Sequence, residues 1–321
     1  VNECSPGDDY SIYLASGFPT ASGAGLVTKW SPSGTFQKII FDYNSISTSL
    51  MPQSLDIKSI NGSRKLLMLA FDGTAGRVDY IDLDGSNFVP YFTNGTALAA
   101  GTRRIAASSD GGTLVSRTAG VEYFNPSNQR VGSPRFGVSG TCSSTAVLSV
   151  TEAVISGSKY IISVNGAATP NNKVNLYNGA SGTCIAGAAP TGPATTMWPV
   201  YALYVAGESK LFVLYYPFTA ATSNAQIWSF DVSSTSISNG TLLYDDTSGD
   251  IAIISATPGA LSSALAYYRG NQERFFLVGT SNSSVIKLTY DGSTLTRPQA
   301  QPFIYLSAFA RSIADIFIVA N

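Results

Sequence analysis

The chain has 321 residues, 44% hydrophobic and only 12% charged, with a formal net charge of −1. It therefore lacks the basic footprint of a nucleic-acid or anionic-lipid binder, and no apolar run approaches the roughly 20 residues of a membrane helix. It holds no histidine, which removes Ser-His-Asp and Cys-His nucleophile activation and every His-ligated metal.

The chain opens Val1-Asn2-Glu3-Cys4, which reads as a mature end after processing or as a segment boundary. No small-residue run precedes Cys4, so a plain thiol is expected there rather than a lipid anchor. A strand pattern then recurs along the chain. It runs Val27-Thr28-Lys29-Trp30, Val78-Asp79-Tyr80-Ile81, Val121-Glu122-Tyr123-Phe124, Val174-Asn175-Leu176-Tyr177, Ile227-Trp228-Ser229-Phe230 and Ile286-Lys287-Leu288-Thr289. Most copies run into a turn such as Ser31-Pro32-Ser33-Gly34, Asp82-Leu83-Asp84-Gly85 or Asn125-Pro126-Ser127-Asn128. A spacing of roughly 40–60 residues is the signature of a propeller or a related array.

Upstream of each copy lies a strand that starts polar and turns small and apolar. These strands begin at Gln53, Arg103, Ser143, Pro199, Ser262 and Arg311. A short apolar strand stands between the two sets, as in Lys65-Leu66-Leu67-Met68-Leu69 or Leu211-Phe212-Val213-Leu214-Tyr215. The expected architecture is an all-β, six-bladed β-propeller with four antiparallel strands per blade, forming one domain over residues 1–321. The expected blades are 311–321 with 11–44, then 52–95, 102–138, 142–190, 198–247 and 261–306. The C-terminal strand is expected to join the N-terminal blade and close the ring, which removes a free sheet edge.

The hairpin Ile105-Ala106-Ala107-Ser108-Ser109-Asp110-Gly111-Gly112-Thr113-Leu114-Val115 resembles the "apolar strand, Ser-x-Asp-Gly, apolar strand" unit of TolB, NHL and YncE-like propellers. Asp82-Leu83-Asp84-Gly85-Ser86-Asn87 and Tyr290-Asp291-Gly292-Ser293 resemble their outer hairpins. The resemblance implies fold and leaves function open.

Candidate chemistry follows from what remains without histidine. The glutamates are expected to lie off the innermost strands. Asp56 and Asp315 fall on innermost strands of adjacent blades, where they could act as acid and base on a glycan, hold Ca²⁺, or simply accept hydrogen bonds. Arg103, Arg104 and Arg311 cluster at innermost-strand starts and suit bidentate carboxylate recognition. Arg103 and Arg104 are neighbours, however, so on a strand they point opposite ways. Trp198 is expected on a connection leading into an innermost strand, with Tyr201 and Gln53 beside the same channel mouth, where it could stack on a sugar or a protein. In an oxidising compartment one cysteine pair could bridge, and Cys142 with Cys184, which fall within one repeat, is the favoured pair.

The leading expectation is a non-catalytic recognition module, extracellular or on a cell surface. It would bind carbohydrate or a protein partner, as in adhesion, through the loop face around the channel, without an organic cofactor. The alternatives are a glycan-acting hydrolase or lyase, and a structural part of a surface assembly.

Overall fold

The computed structural model describes residues 9–17, 25–92, 98, 101–132, 135–137, 140–142, 146–166, 173–188, 190–194, 196–217, 224–238, 240–251, 264–270, 273–298, 302–306 and 312–320. Arg311 and Cys4 lie outside them, and so do Ser143 and Ser262. The chain is a six-bladed β-propeller built as two compact units. One spans Arg103–Gly249; the other joins Asn2–Thr102 to Asp250–Asn321.

The second unit carries three blades. Its seam blade contains β1 (Tyr10–Gly17), β2 (Leu26–Trp30) and β3 (Phe36–Asp42), with the C-terminal strand β24 (Ser312–Ala320) paired antiparallel to β1. The next contains β4 (Met51–Ile60), β5 (Ser63–Phe71), β6 (Gly76–Asp82) and β7 (Val89–Pro90). The third contains β19 (Ala264–Arg269), β20 (Arg274–Gly279), β21 (Ser284–Tyr290) and two short outer strands, β22 (Leu295–Thr296) and β23 (Ile304–Tyr305), that both pair with β21.

The first unit carries the other three. Its first blade is β8 (Thr102–Ala107), β9 (Thr113–Arg117) and β10 (Gly120–Phe124). Among the described residues, the expected fourth strand is represented by two isolated bridges, Val121 with Phe136 and Phe124 with Arg130. The remaining blades are β11 (Val147–Ile155) to β14 (Cys184–Ala188), through β12 (Ser158–Asn165) and β13 (Val174–Asn178), and β15 (Met197–Val205) to β18 (Thr241–Asp245), through β16 (Lys210–Pro217) and β17 (Gln226–Asp231).

All six repeats form the third strand of their blade. Their turns close as the sequence chemistry requires. Gly85 N–H donates to Asp82 C=O at 2.8 Å, and Asn128 N–H donates to Asn125 C=O at 2.8 Å. The side chain of Asn178 accepts from the N–H groups of Ala180 and Ser181, an Asx turn.

The second strands read as unbroken apolar runs because both faces are buried. In β1, Ile12 and Leu14 pack into one cluster with Ala266, Phe275 and Ile316, while Tyr13 and Ala15 pack into another with Leu66, Met68 and Phe317. Blade approach is close enough to demand glycine at residue 279, where a Cβ would lie 2.6 Å from Ile313 Cγ2. Cys142 and Cys184 form the expected disulfide, tying the segment before β11 to outer strand β14.

Candidate functional site

A shared irregularity positions the polar residues of the innermost strands. In β4 the register with β5 slips between Pro52 and Ser54, leaving Gln53 as the extra residue. The same slip leaves Leu148 in β11, Val200 in β15 and Ala314 in β24. Each β-bulge twists the strand and re-aims the side chains that follow it. The residues after the bulge are Ser54, Ser149, Tyr201 and Asp315, and these are the equivalent positions. Asp315 therefore corresponds to Ser54, and Asp56 lies two residues further along its own strand.

Within the second unit, Asp315 spans two blades. Its Oδ2 accepts from Ser54 Oγ at 2.8 Å and from Leu55 N–H at 2.9 Å, and its Oδ1 accepts from Ile316 N–H at 2.9 Å. An innermost strand is a sheet edge with spare N–H groups, and a buried N–H without a partner is costly. Asp315 supplies that partner from the next blade. Asp56 is also buried, and its Oδ1 accepts from Ile57 N–H at 2.7 Å. Gln53 is buried at its bulge.

The first unit repeats the device with neutral groups. Ser149 Oγ accepts from Ala202 N–H and Thr151 Oγ1 from Tyr204 N–H, both at 3.3 Å. Glu152 corrects an expectation: it lies on innermost strand β11 and is buried. Its carboxylate accepts from Ser108 Oγ at 2.5 Å and Ser109 N–H at 2.9 Å. The miss has a plain cause, because β11 starts at Val147, after the Ser143 start taken from the polar-to-small pattern.

The Asp110 turn stands beside Glu152. Burial pushes the Asp110 carboxyl up, but the Lys159 ammonium, the Tyr123 hydroxyl and Gly112 N–H outweigh it and hold the group well below the usual carboxylate range. This turn is the β8–β9 hairpin that carried the family resemblance, and its aspartate is a structural clasp.

Arg103 and Arg104 lie at the other end of β8 and are both almost fully buried. The Arg104 guanidinium sits 4.8 Å from the centroid of the Tyr201 ring on β15. Strands β8 and β15 belong to blades separated by the β11 blade, so this contact reaches across the inner side of the unit. Arg103 points the other way by strand alternation. Its Nη1 is buried without a hydrogen-bond partner. Burial, and then the charge of Arg104, lower Arg103 to about 10. That remains far above neutral pH, so the guanidinium stays charged.

Trp198 also departs from expectation. It is the second residue of β15, paired with Tyr216, and half-buried rather than carried on a loop. Its ring packs over Gly166, where an added Cβ would lie 3.7 Å from Cε3. The strand begins ahead of Pro199 because Pro199 directly precedes the bulge, where a missing N–H is tolerated. Pro52 occupies the same place in β4, a signal the sequence offered. Among the described residues, no three His, Cys, Asp or Glu side chains gather as a metal site. None of their helices is long and apolar enough to cross a membrane.

The chain matches no protein-family model and no curated protein. Among solved structures it is similar to a chain of a nidogen/laminin complex, with a TM-score of 0.61 at 11% identity over 97% of this chain and 98% of that one. It is also similar to the extracellular domain assigned to a hybrid two component system from B. thetaiotaomicron, with a TM-score of 0.52 at 13% identity over 96% of this chain and 36% of that one. Likeness at such identity establishes the propeller fold, in keeping with the resemblance carried by the hairpins.

Proposed function

We propose that this propeller is a non-catalytic recognition module that works outside the cell or on its surface. It binds a carbohydrate or protein partner through the end of the blades where β8 and β15 begin. One contrast carries this reading. The innermost carboxylates Asp315 and Glu152 are engaged by serine and backbone donors, whereas Arg103 keeps a buried donor atom unspent. Acid–base catalysis on a glycan needs two carboxyl groups free to meet substrate; recognition needs rigidly held donors and aromatic faces.

Three further observations support it. The disulfide suits an oxidising compartment. One similar structure is a chain from a nidogen/laminin complex and another is an extracellular domain. Trp198 offers a half-buried aromatic face at the start of β15.

A panel of immobilised glycans and extracellular proteins tests the proposal. Binding is expected to persist in Asp56→Asn and to weaken at least tenfold in Trp198→Ala. Glycan cleavage by the native chain that Asp56→Asn abolishes would instead establish the hydrolase alternative. Binding indifferent to Trp198→Ala would remove β15 from the interface.

A further inference from the structure

Four Asn-x-Ser/Thr triplets occur in the chain, at Asn61, Asn94, Asn239 and Asn282. Asn94 and Asn239 lie outside the described residues. Asn61 and Gly62 form the two-residue turn between β4 and β5, flanked by the pair Ile60 and Ser63. Their φ angles of +52° and +77° are the left-handed pair that a tight hairpin needs. Asn61, Gly62 and Ser63 are all exposed. A Cβ added at Gly62 would meet nothing within 4 Å, so the space around the tip is open. Other turn asparagines spend their amides on holding their turns. Asn87 donates to Asp82, Asn125 accepts from the N–H groups of Ser127 and Gln129, and Asn178 accepts from those of Ala180 and Ser181. Among the described residues, neither the Asn61 amide nor the Ser63 hydroxyl holds a partner, and backbone pairing alone closes this turn. The triplet at Asn282 differs, because its hydroxyl is engaged: Ser284 is buried and its Oγ lies 2.8 Å from Thr280 Oγ1.

We infer that Asn61 is an N-glycosylation site, modified by transfer of an oligosaccharide from a polyprenyl diphosphate donor. The inference rests on the extracellular part of the reading above, since such transfer acts on chains leaving the cell. In the transfer, Asn61 Nδ2 attacks C1 of the first sugar. The bond from C1 to the diphosphate oxygen breaks, a C1–N bond forms, Nδ2 gives up one proton and the lipid diphosphate leaves. The acceptor pattern requires a Ser or Thr two residues after the asparagine, and Ser63 presents its hydroxyl unengaged. The product is bulky and hydrophilic and has to stand on the surface. The hairpin tip meets that demand without displacing a packed side chain. In its own blade the tip lies beyond the end of β4, roughly 26 Å from the Gln53 bulge at about 3.3 Å per residue. A glycan on Asn61 therefore leaves the beginning of β4 clear.

Peptide mass spectrometry on the full chain, passed through the endoplasmic reticulum of a eukaryotic host behind a leader peptide, tests this. Trypsin cuts after Lys58 and Arg64, and the released peptide Ser59–Arg64 holds this one triplet. The peptide is expected to carry an oligosaccharide that a peptide N-glycosidase removes in heavy-oxygen water, leaving aspartate with one heavy oxygen. A digest without the glycosidase separates this from spontaneous deamidation of Asn61-Gly62. Ser63→Ala should abolish the modification at Asn61 and Ser63→Thr should keep it. Thermal unfolding of the enzymatically deglycosylated chains should be the same for all three, since the Ser63 side chain bonds to nothing. Chain retained inside the host is digested in the same way. Recovery of the peptide only in its unmodified form, from secreted and retained chain alike, would overturn the inference. So would a glycan on Asn61 that survives Ser63→Ala. An unmodified Asn61 alongside Trp198-dependent capture on the panel would sink this site and leave the recognition reading standing; a glycan on Asn61 in a chain that captures nothing would do the reverse.

Discussion

Asp315 shows how one side chain serves two blades. It lies on β24 yet neutralises the spare N–H of Leu55 and the hydroxyl of Ser54 on β4. Replacing it with alanine leaves those buried donors unsatisfied, and each such orphan costs about 1–3 kcal/mol. Asp315→Ala is therefore expected to lower the unfolding free energy by about 2–4 kcal/mol, measured by chemical denaturation. Asp315→Asn keeps one carbonyl acceptor and should lose less. A loss below about 0.5 kcal/mol for the alanine variant would mean that these bonds are remade by water. The identity of this acceptor was partly legible: an aspartate near the start of an innermost strand stands out in the chain. Its partner was not, because Ser54 lies 261 positions away.

At the scale of the strand, legibility divided by burial pattern. The third strands were plain from their β-branched start, their aromatic residue and the Asx or Gly turn that follows, since those turns are built from local bonds. The innermost strands were harder. Their bulges shift register by one residue, and a polar-to-small gradient cannot place a bulge. That is why Trp198 was expected on a connection; Glu152 was expected off the innermost set because the same gradient started its strand at Ser143 rather than at Val147. The disulfide is also an element-scale device. It closes a 42-residue separation between the segment before β11 and outer strand β14. Chain-entropy arguments give such a loop about 4 kcal/mol, less any relief in the reduced state. Reduction, or a paired Cys142→Ser and Cys184→Ser change, should lower stability by about 2–4 kcal/mol. Unchanged denaturation midpoints with and without reductant would contradict that expectation.

At the scale of the molecule, the seam between β24 and β1 holds the two ends of the chain together. Phe317 is buried in the cluster shared with Tyr13, Leu66 and Met68, while Ile316 and Ile318 face the cluster that contains Phe275. The seam strand thus contributes to two cores at once. Phe317→Ala should cost about 3–5 kcal/mol, the range for emptying a buried aromatic site. It should also shift thermal unfolding of the whole second unit rather than loosen the C-terminus alone. Early exchange confined to the β24 amides, with the rest of the unit protected, would argue that the seam is a peripheral latch.

The amino-acid sequence by itself determined the number of blades, the strand that carries each repeat and the closing role of the C-terminal strand. These follow from local turn chemistry and from periodic burial, which any stretch of chain expresses without its neighbours. Only the tertiary structure decided which innermost residues meet. It joined Asp315 to Ser54, Glu152 to Ser108 and Arg104 to Tyr201, and it left Arg103 with an open donor. The reason is geometric. Those contacts form between separate sheets, and a one-residue bulge changes which side chain reaches across.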